Sequence, residues 1–259
     1  MLTAIQSYLP QDPRKDRIEY FETIDSTNNH AKKLAMEGAP AGTVVLAGHQ
    51  TAGRGRLGRS FCSPPHMGIY LSMILRPGCK PSRLMHLTCA AGVAAVGAMD
   101  RSDIGIKWTN DLVIGRKKLG GILTEISVNP LTQIVDWVIV GIGINCCQQS
   151  RDFPEEIRHM ACSLNLDRQQ LPQLAARLIA ALWEMEDKLL TEKDEIMAQF
   201  RQKCVTIGAE ISVVRGDHIR HGLAVAVDDA GGLLVKYPDG TAETVTSGEV
   251  SIRGMYGYV

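Results

Sequence analysis

The chain has 259 residues, 45% of them hydrophobic and 22% charged, and its 28 Lys+Arg balance its 28 Asp+Glu. A zero net charge speaks against a life on nucleic acid or on an anionic membrane, so any basic site must be local. Seven cysteines without a C-x-x-C pair argue against a disulfide framework or a Cys-rich zinc site, and the most apolar stretch, 87–99, is too short to span a bilayer. The N-terminus lacks the apolar core of a signal peptide. These features predict a soluble cytoplasmic protein.

In chain order, residues 1–16 are polar and proline-punctuated and predict a loose lead-in. "RIEYFET" alternates like a strand. "DSTNNHAKKLAMEG" opens on cap residues and closes on Gly38, the signature of a helix. "GTVVLAGHQ" and "GIYLSMILRP" predict strands, the second stopped by Pro77, and 82–100 predicts a buried helix. "IGIKWTNDLVI", the turn "GRKK" and "LGGILTEISV" predict a hairpin, followed by the strand "IVDWVIVGIGINC". Two helices broken near Thr191 are expected over 171–203. After Cys204 short alternating runs and turn signals predict a small all-β module. That module carries four basic and seven acidic residues, a net charge of −3 that does not suit nucleic acid. The expected architecture is α+β, a mixed or antiparallel sheet with helices over 1–204 and a β domain over 205–259.

Three glycines and three arginines occupy residues 53–59 of "GHQTAGRGRLGRS". Gly53, Gly55 and Gly58 spell the dinucleotide fingerprint G-x-G-x-x-G. That motif requires a following helix and an acidic residue roughly 20 positions on. Here "SFCSPPHMG" follows, and no Asp or Glu occurs before Asp100. A Walker A loop fails as well, because no G-K-[ST] follows. What remains is a glycine-jointed loop whose arginines offer planar, permanently charged donors to phosphate or carboxylate and which orders over an anionic small molecule.

Other stretches carry chemistry. Strand alternation in "KWTNDL" puts Lys107, Thr109 and Asp111 on one face and Trp108 and Asn110 on the other, unless a bulge intervenes. Lys107 suits a phosphate, and Asn110 or Asp111 suits a nucleotide or a Mg2+ shell. Lys118 precedes the pair Gly120-Gly121, which leaves room for a ligand beside the backbone. In "GIGIN", Gly141 and Gly143 share a strand face without side chains, with Asn145 at its end. "DSTN" is a helix N-cap whose Ser26, Thr27 and free amides could also take a polar ligand. No H-E-x-x-H or G-x-S-x-G occurs, so neither a metalloprotease nor a serine hydrolase is supported.

The order and spacing of "DSTN", "HQTAGRGRLGRS", "IYLSMILRP", "KWTNDL", "KKLGGILTE" and "GIGIN" resemble the biotin protein ligases from about Glu22 to Asn145, and "GGLLV" with "SGEVSIR" resembles their C-terminal SH3-like domain. The resemblance implies a class II synthetase-like catalytic domain. It further implies a reaction in which biotin and ATP give biotinyl-5′-AMP, whose acyl group passes to a lysine of the biotin carboxyl carrier domain of acetyl-CoA carboxylase or a related enzyme. Mg2+ is expected to arrive with ATP. By position, Lys118, Arg54 and Arg56 match the catalytic cations. Ser26, Thr27, Asn28, Gln50, Gly55, Gly120 and Gly121 match the biotin side, together with Arg54, Arg56 and Lys118. Arg56, Arg59, Lys107, Trp108, Asn110, Asp111 and Asn145 match the ATP side. Two departures stand out: Thr109 replaces a usual proline, and Phe61 replaces a frequent tryptophan. Only about two dozen residues precede Asp25, too few for the DNA-binding domain of some members, so no operator binding is expected. A homodimer stays open. A lipoate or octanoate ligase or transferase on a related fold is the alternative.

Overall fold

The computed structural model of the chain describes residues 1–215, 217–246, 249–252 and 255. Ser247, Gly248 and Arg253 of "SGEVSIR" lie outside the described residues. The chain is mixed α/β, as expected, with two sheets.

The larger sheet has seven strands: β1 (Ile18–Phe21), β2 (Val44–Ala47), β3 (Gly68–Leu75), β4 (Ile104–Lys107), β5 (Asp111–Ile114), β6 (Lys117–Val128) and β7 (Val135–Asn145), in the order β1-β2-β3-β7-β6-β5-β4. β1 and β2 run parallel, joined through helix α2 (Thr27–Met36), and every other pair is antiparallel. Alternation sorts the two faces. Leu71, Met73, Val138, Val140 and Ile142 join the main core with helices α3 (Leu87–Met99) and α4 (Leu171–Lys188). On the opposite face Val45, Ile74 and Ile139 pack with Ala31 and Ala35 of α2. Helix α2 covers only one end of that face. The other end, around Ser72, Gly141, Gly143 and Gly121, is where the cleft forms.

Helix α4 buries Leu171, Leu174, Leu178, Leu182 and Met185, a stripe at helical spacing that docks on the sheet. Helix α5 (Lys193–Lys203) follows after a break around Thr191, as the sequence predicts. Helix α3 is apolar nearly all round and is buried accordingly, with Gly92 admitting the Ile106 side chain at 3.1 Å from the site of a Cβ.

Two expectations fail. Residues 2–8 are not loose: they form helix α1 (Leu2–Tyr8), whose Ile5 is fully buried in the main core. Composition hid this because only Ile5 is fully buried, with Leu2 packed beside it, among otherwise exposed or polar residues. The "KWTNDL" run is not one strand. The chain turns between β4 and β5 at Trp108–Asn110, with a cis Trp108–Thr109 peptide, and Lys107 lies directly opposite Asp111 in the antiparallel register. The alternation argument therefore stops at Lys107.

The second sheet contains β8 (Glu210–Arg215), β9 (His218–Val227), β10 (Leu233–Lys236), β11 (Ala242–Val245) and β12 (Glu249–Ile252) in the order β11-β10-β9-β8-β12, all antiparallel. It is tied to the first. The Trp108 amide donates to Thr206 Oγ1 (2.8 Å), its indole N–H to the Gly231 carbonyl (2.8 Å), and Lys107 Nζ to the Val250 carbonyl (2.9 Å).

Candidate active site

One cleft of about 310 Å³ opens on the α2 face of the large sheet. Every residue singled out from the sequence lines it except Gly120. Gly120 is paired with Ile144, on the core side of the sheet, and a Cβ there would come within 2.3 Å of the Gly143 carbonyl oxygen. The gap beside Gly120 serves strand packing rather than a ligand; Gly121, one residue on, faces the cleft.

The polar end of the cleft starts at the N-terminus of α2. Ser26 is the N-cap residue but its side chain makes no cap hydrogen bond. Gln50 does that work from β2's far end: its Oε1 accepts from the Thr27 amide (2.9 Å) and from Thr27 Oγ1 (3.1 Å), while its Nε2 donates to Ser63 Oγ (2.8 Å). The expectation that "DSTN" caps its own helix is corrected in this detail. Ser72 Oγ, fully buried on β3, lies 2.8 Å from Thr27 Oγ1 and 2.6 Å from Asn28 Oδ1. The glycine face of "GIGIN" is not bare. A Cβ on Gly141 would sit 2.0 Å from Asn28 Oδ1, and one on Gly143 would sit 2.5 Å from the Phe61 ring. The two glycines are notches for an amide and an aromatic ring. Phe61 in turn meets Tyr70 edge-on, with ring centroids 6.4 Å apart.

Asn28 leads to a charged group. Its Nδ2 donates to Glu125 Oε2 (2.8 Å), whose other oxygen takes Lys32 Nζ (2.5 Å) and lies 3.3 Å from Arg54. Burial would raise the Glu125 carboxyl, but the Lys32 and Asn28 hydrogen bonds and the nearby Arg54 charge outweigh it and hold the group below the usual carboxylate range. Glu125 was not singled out from the sequence. The signal was available, because alternation from Gly121 through Leu123 puts Glu125 on the cleft face.

The arginine loop is a folded hairpin. Gly55 N donates to Arg59 O (2.7 Å), Phe61 N donates to Gly53 O (2.9 Å), and a single tight turn spans Arg56–Gly58. Its glycines have specific duties. A Cβ on Gly53 would come 2.4 Å from the Phe61 carbonyl oxygen, and Gly58 has φ +74°. Close approach and a left-handed turn are required here, beyond the freedom of motion read from the sequence. Arg54 bonds Asn29 Oδ1 and Arg56 bonds Asn110 Oδ1, both at 3.0 Å.

At the far end, Lys118 Nζ donates to Asp111 Oδ1 (2.6 Å), and Lys107 Nζ stands 3.9 Å from Asp111 Oδ2. Two ammonium groups thus share one carboxylate, with Arg56 and Arg59 lining the same cleft. Trp108 is buried at the junction of the two sheets, so only part of it serves the cleft. Asn145 donates to the Cys162 carbonyl (3.0 Å) and accepts from Gln148 (3.2 Å).

The segment 146–166, which carries none of the motifs singled out above, supplies a further wall. Phe153, Ile157, Met160 and Ala161 line the cleft. The segment is held by the backbone of Lys118, whose N–H donates to Met160 O (2.7 Å) and whose carbonyl accepts from Cys162 N (2.8 Å). The apolar residues are too irregularly spaced to have announced this. Among the described residues no three His, Cys, Asp or Glu side chains converge as metal ligands, and no helix is long and apolar enough to cross a membrane.

A polar pocket, a run of cations around one carboxylate and an arginine hairpin over both define a site for a small acid and a phosphate-bearing partner. Residues 20–145 match the Biotin/lipoate A/B protein ligase family, and residues 206–253 match the Biotin protein ligase C terminal domain. The chain is 36% identical over 230 residues to the "Bifunctional ligase/repressor BirA" of Bacillus spizizenii, covering 85% of this chain and 70% of that one. It is 31% identical over 240 residues to the "Biotin--[acetyl-CoA-carboxylase] ligase" of Mycobacterium tuberculosis, covering 87% and 85%. The structure resembles the Aquifex aeolicus biotin protein ligase solved with biotin and ATP, with a TM-score of 0.73, 29% identity, and coverage of 91% of this chain and 98% of that one. The chain belongs to the biotin protein ligase family.

Proposed function

We propose that the protein is an ATP-dependent biotin–protein ligase that activates biotin as biotinyl-5′-AMP and transfers it to a lysine of the carrier domain of acetyl-CoA carboxylase or a related biotin-dependent enzyme. The observation that carries this reading is the convergence of Lys118, Lys107, Arg56 and Arg59 on one cleft that also holds the buried residues Ser26–Asn28, bonded to the half-buried Gln50.

The first step brings together two anions, a carboxylate and an α-phosphate. Two unit charges 4 Å apart repel by about 4 kcal/mol at an effective dielectric near 20. Cations must offset this and the charge that grows in the transition state. Lys118 is placed for that role, with Asp111 holding its ammonium in position. Arg54 and Arg56 would clamp the carboxylate and phosphate, Arg59 and Lys107 the remaining phosphates, and Trp108, Asn110 and Asn145 the nucleotide's edge. Ser26, Thr27, Asn28, Gln50, Gly55 and Gly121 would form the biotin side. The biotin carboxylate oxygen attacks the α-phosphorus and pyrophosphate leaves. In the second step a neutral carrier lysine attacks the acyl carbon, AMP leaves, and the amine's proton passes to Asp111 or water. The apolar wall of Phe61, Phe153, Ile157 and Met160 would exclude water from the anhydride. Mg2+, expected to arrive with ATP, would be held by the ATP phosphates and water.

We further assign residues 1–204 to catalysis and 205–259 to an SH3-like domain, within a cytoplasmic protein. A match to a C-terminal model specific to biotin ligases favours biotin over lipoate or octanoate. The test is to incubate the protein with ATP, Mg2+ and a carrier domain plus either biotin or lipoate. Biotin-dependent pyrophosphate release and a biotin-sized mass gain on the carrier are expected; lipoate-dependent release alone would overturn the reading.

A further inference from the structure

The arginine hairpin is closed by its own backbone hydrogen bonds, and its first arginine, Arg54, is tethered to helix α2 and strand β6. Arg54 reaches Asn29 Oδ1 (3.0 Å) and Glu125 Oε1 (3.3 Å). Glu125 is itself immobilised. Asn28 binds one of its oxygens at 2.8 Å and Lys32 the other at 2.5 Å. Asn28 is locked in turn by Ser72 and by the notch over Gly141. A continuous chain of contacts therefore runs from the buried face of the sheet to the loop.

We propose that Glu125 is a positioning residue that holds Arg54, and through it the 53–60 hairpin, in its folded arrangement before substrate enters. Two features favour this over an incidental surface pair. The carboxylate is mostly buried, with a side chain 20% exposed, so its partners are less screened than at a surface. Lys32 and Arg54 are both cationic and share one oxygen, so removal of the negative charge leaves two like charges facing each other across the space Glu125 now bridges. Glu125 touches no cleft cation other than Arg54, so its effect on chemistry passes through the loop. Pre-folding lowers the ordering cost that substrate binding would otherwise meet.

The proposal rests on the reading of the hairpin as the substrate-covering loop, and the test separates the two. Trypsin cuts after Arg54, Arg56 and Arg59 only when the loop opens, a readout independent of catalysis. Glu125→Gln keeps the size and the acceptor for Asn28 but removes the charge. In the unliganded variant, loop cutting should be roughly three- to ten-fold faster with an unchanged melting midpoint. KM for biotin should rise by a similar factor while kcat stays within about two-fold. Asn29→Ala, which removes the other tether, should move loop cutting in the same direction by less. Unchanged loop cutting in both variants overturns the proposal. So does a lowered melting midpoint with cutting spread over the whole chain, which would make Glu125 merely structural. If the wild-type protein forms no biotinyl-adenylate but the loop responds as expected, the ligase reading falls and the positioning role stands.

Discussion

The two ends of the cleft are built on opposite principles. At the Ser26–Asn28 end the polar groups mostly serve one another: Gln50 caps α2, Ser72 supports Thr27 and Asn28, and Ser26, Thr27, Asn28 and Ser72 are nearly inaccessible. That end is rigid and neutral, suited to a ligand recognised by shape and a few hydrogen bonds. At the Lys107–Lys118 end, two ammonium groups and two loop arginines surround one lining carboxylate, Asp111. That end is rich in cations, the groups an anionic ligand would meet there. The difference teaches that one cleft can keep a tightly packed, hydrogen-bonded end and a cation-lined end in separate places.

Four experiments would break or sharpen this contrast. Lys118→Ala should cut biotin-dependent pyrophosphate release by at least about 10³-fold, as loss of a charge-stabilising group does, while circular dichroism stays native. Retained activity would remove the cationic end from the mechanism. Gly141→Ala should act on the other end by packing alone. Its Cβ would arrive 2.0 Å from Asn28 Oδ1, so we expect a loss of about 1–3 kcal/mol in urea denaturation together with weaker biotin binding. Gln50→Ala removes the acceptor that caps α2 and should cost about 1 kcal/mol of stability by the same measurement. A neutral result there would mean the network is not preorganised. Smallest is the effect of salt. Raising it from roughly 0.05 to 0.5 M should increase KM for ATP a few-fold while KM for biotin barely moves, because screening reaches only the charged end. Equal responses would erase the distinction between the ends.

Much of this was legible in the sequence, and unevenly so. The helix after "DSTN", the strands around "GIGIN" and the loop arginines follow from caps, alternation and residue chemistry, and the structure brings them to one cleft. Gly120 was misplaced because a glycine pair in a strand always puts one member on each face. The turn at Trp108–Asn110 broke the alternation argument, since no glycine or proline lies between Lys107 and Asp111 to mark a corner and only Asn110-Asp111 hints at one. Helix α1 and the Phe153–Ala161 wall were invisible for a shared reason. Each is short, each owes its position to a partner far away in the chain, and a few scattered apolar residues carry no period. Glu125 was overlooked although its face was predictable, because a single carboxylate in a strand gives no hint of the lysine and arginine that will meet it.

The bonds from Trp108 to Thr206 and Gly231, and from Lys107 to Val250, make the floor of the cationic end a shared wall of both sheets. In thermodynamic terms the two are linked. A ligand that orders Lys107 and Trp108 must also raise the free energy needed to open the C-terminal strands, and it should slow amide exchange in β9 and β12 although it touches neither through a charged side chain. By reciprocity, a protein partner whose grip on the C-terminal sheet is strengthened by such a ligand would strengthen that ligand's binding by the same factor. A module with a net negative charge and none of the catalytic cations would thus still set how firmly they hold.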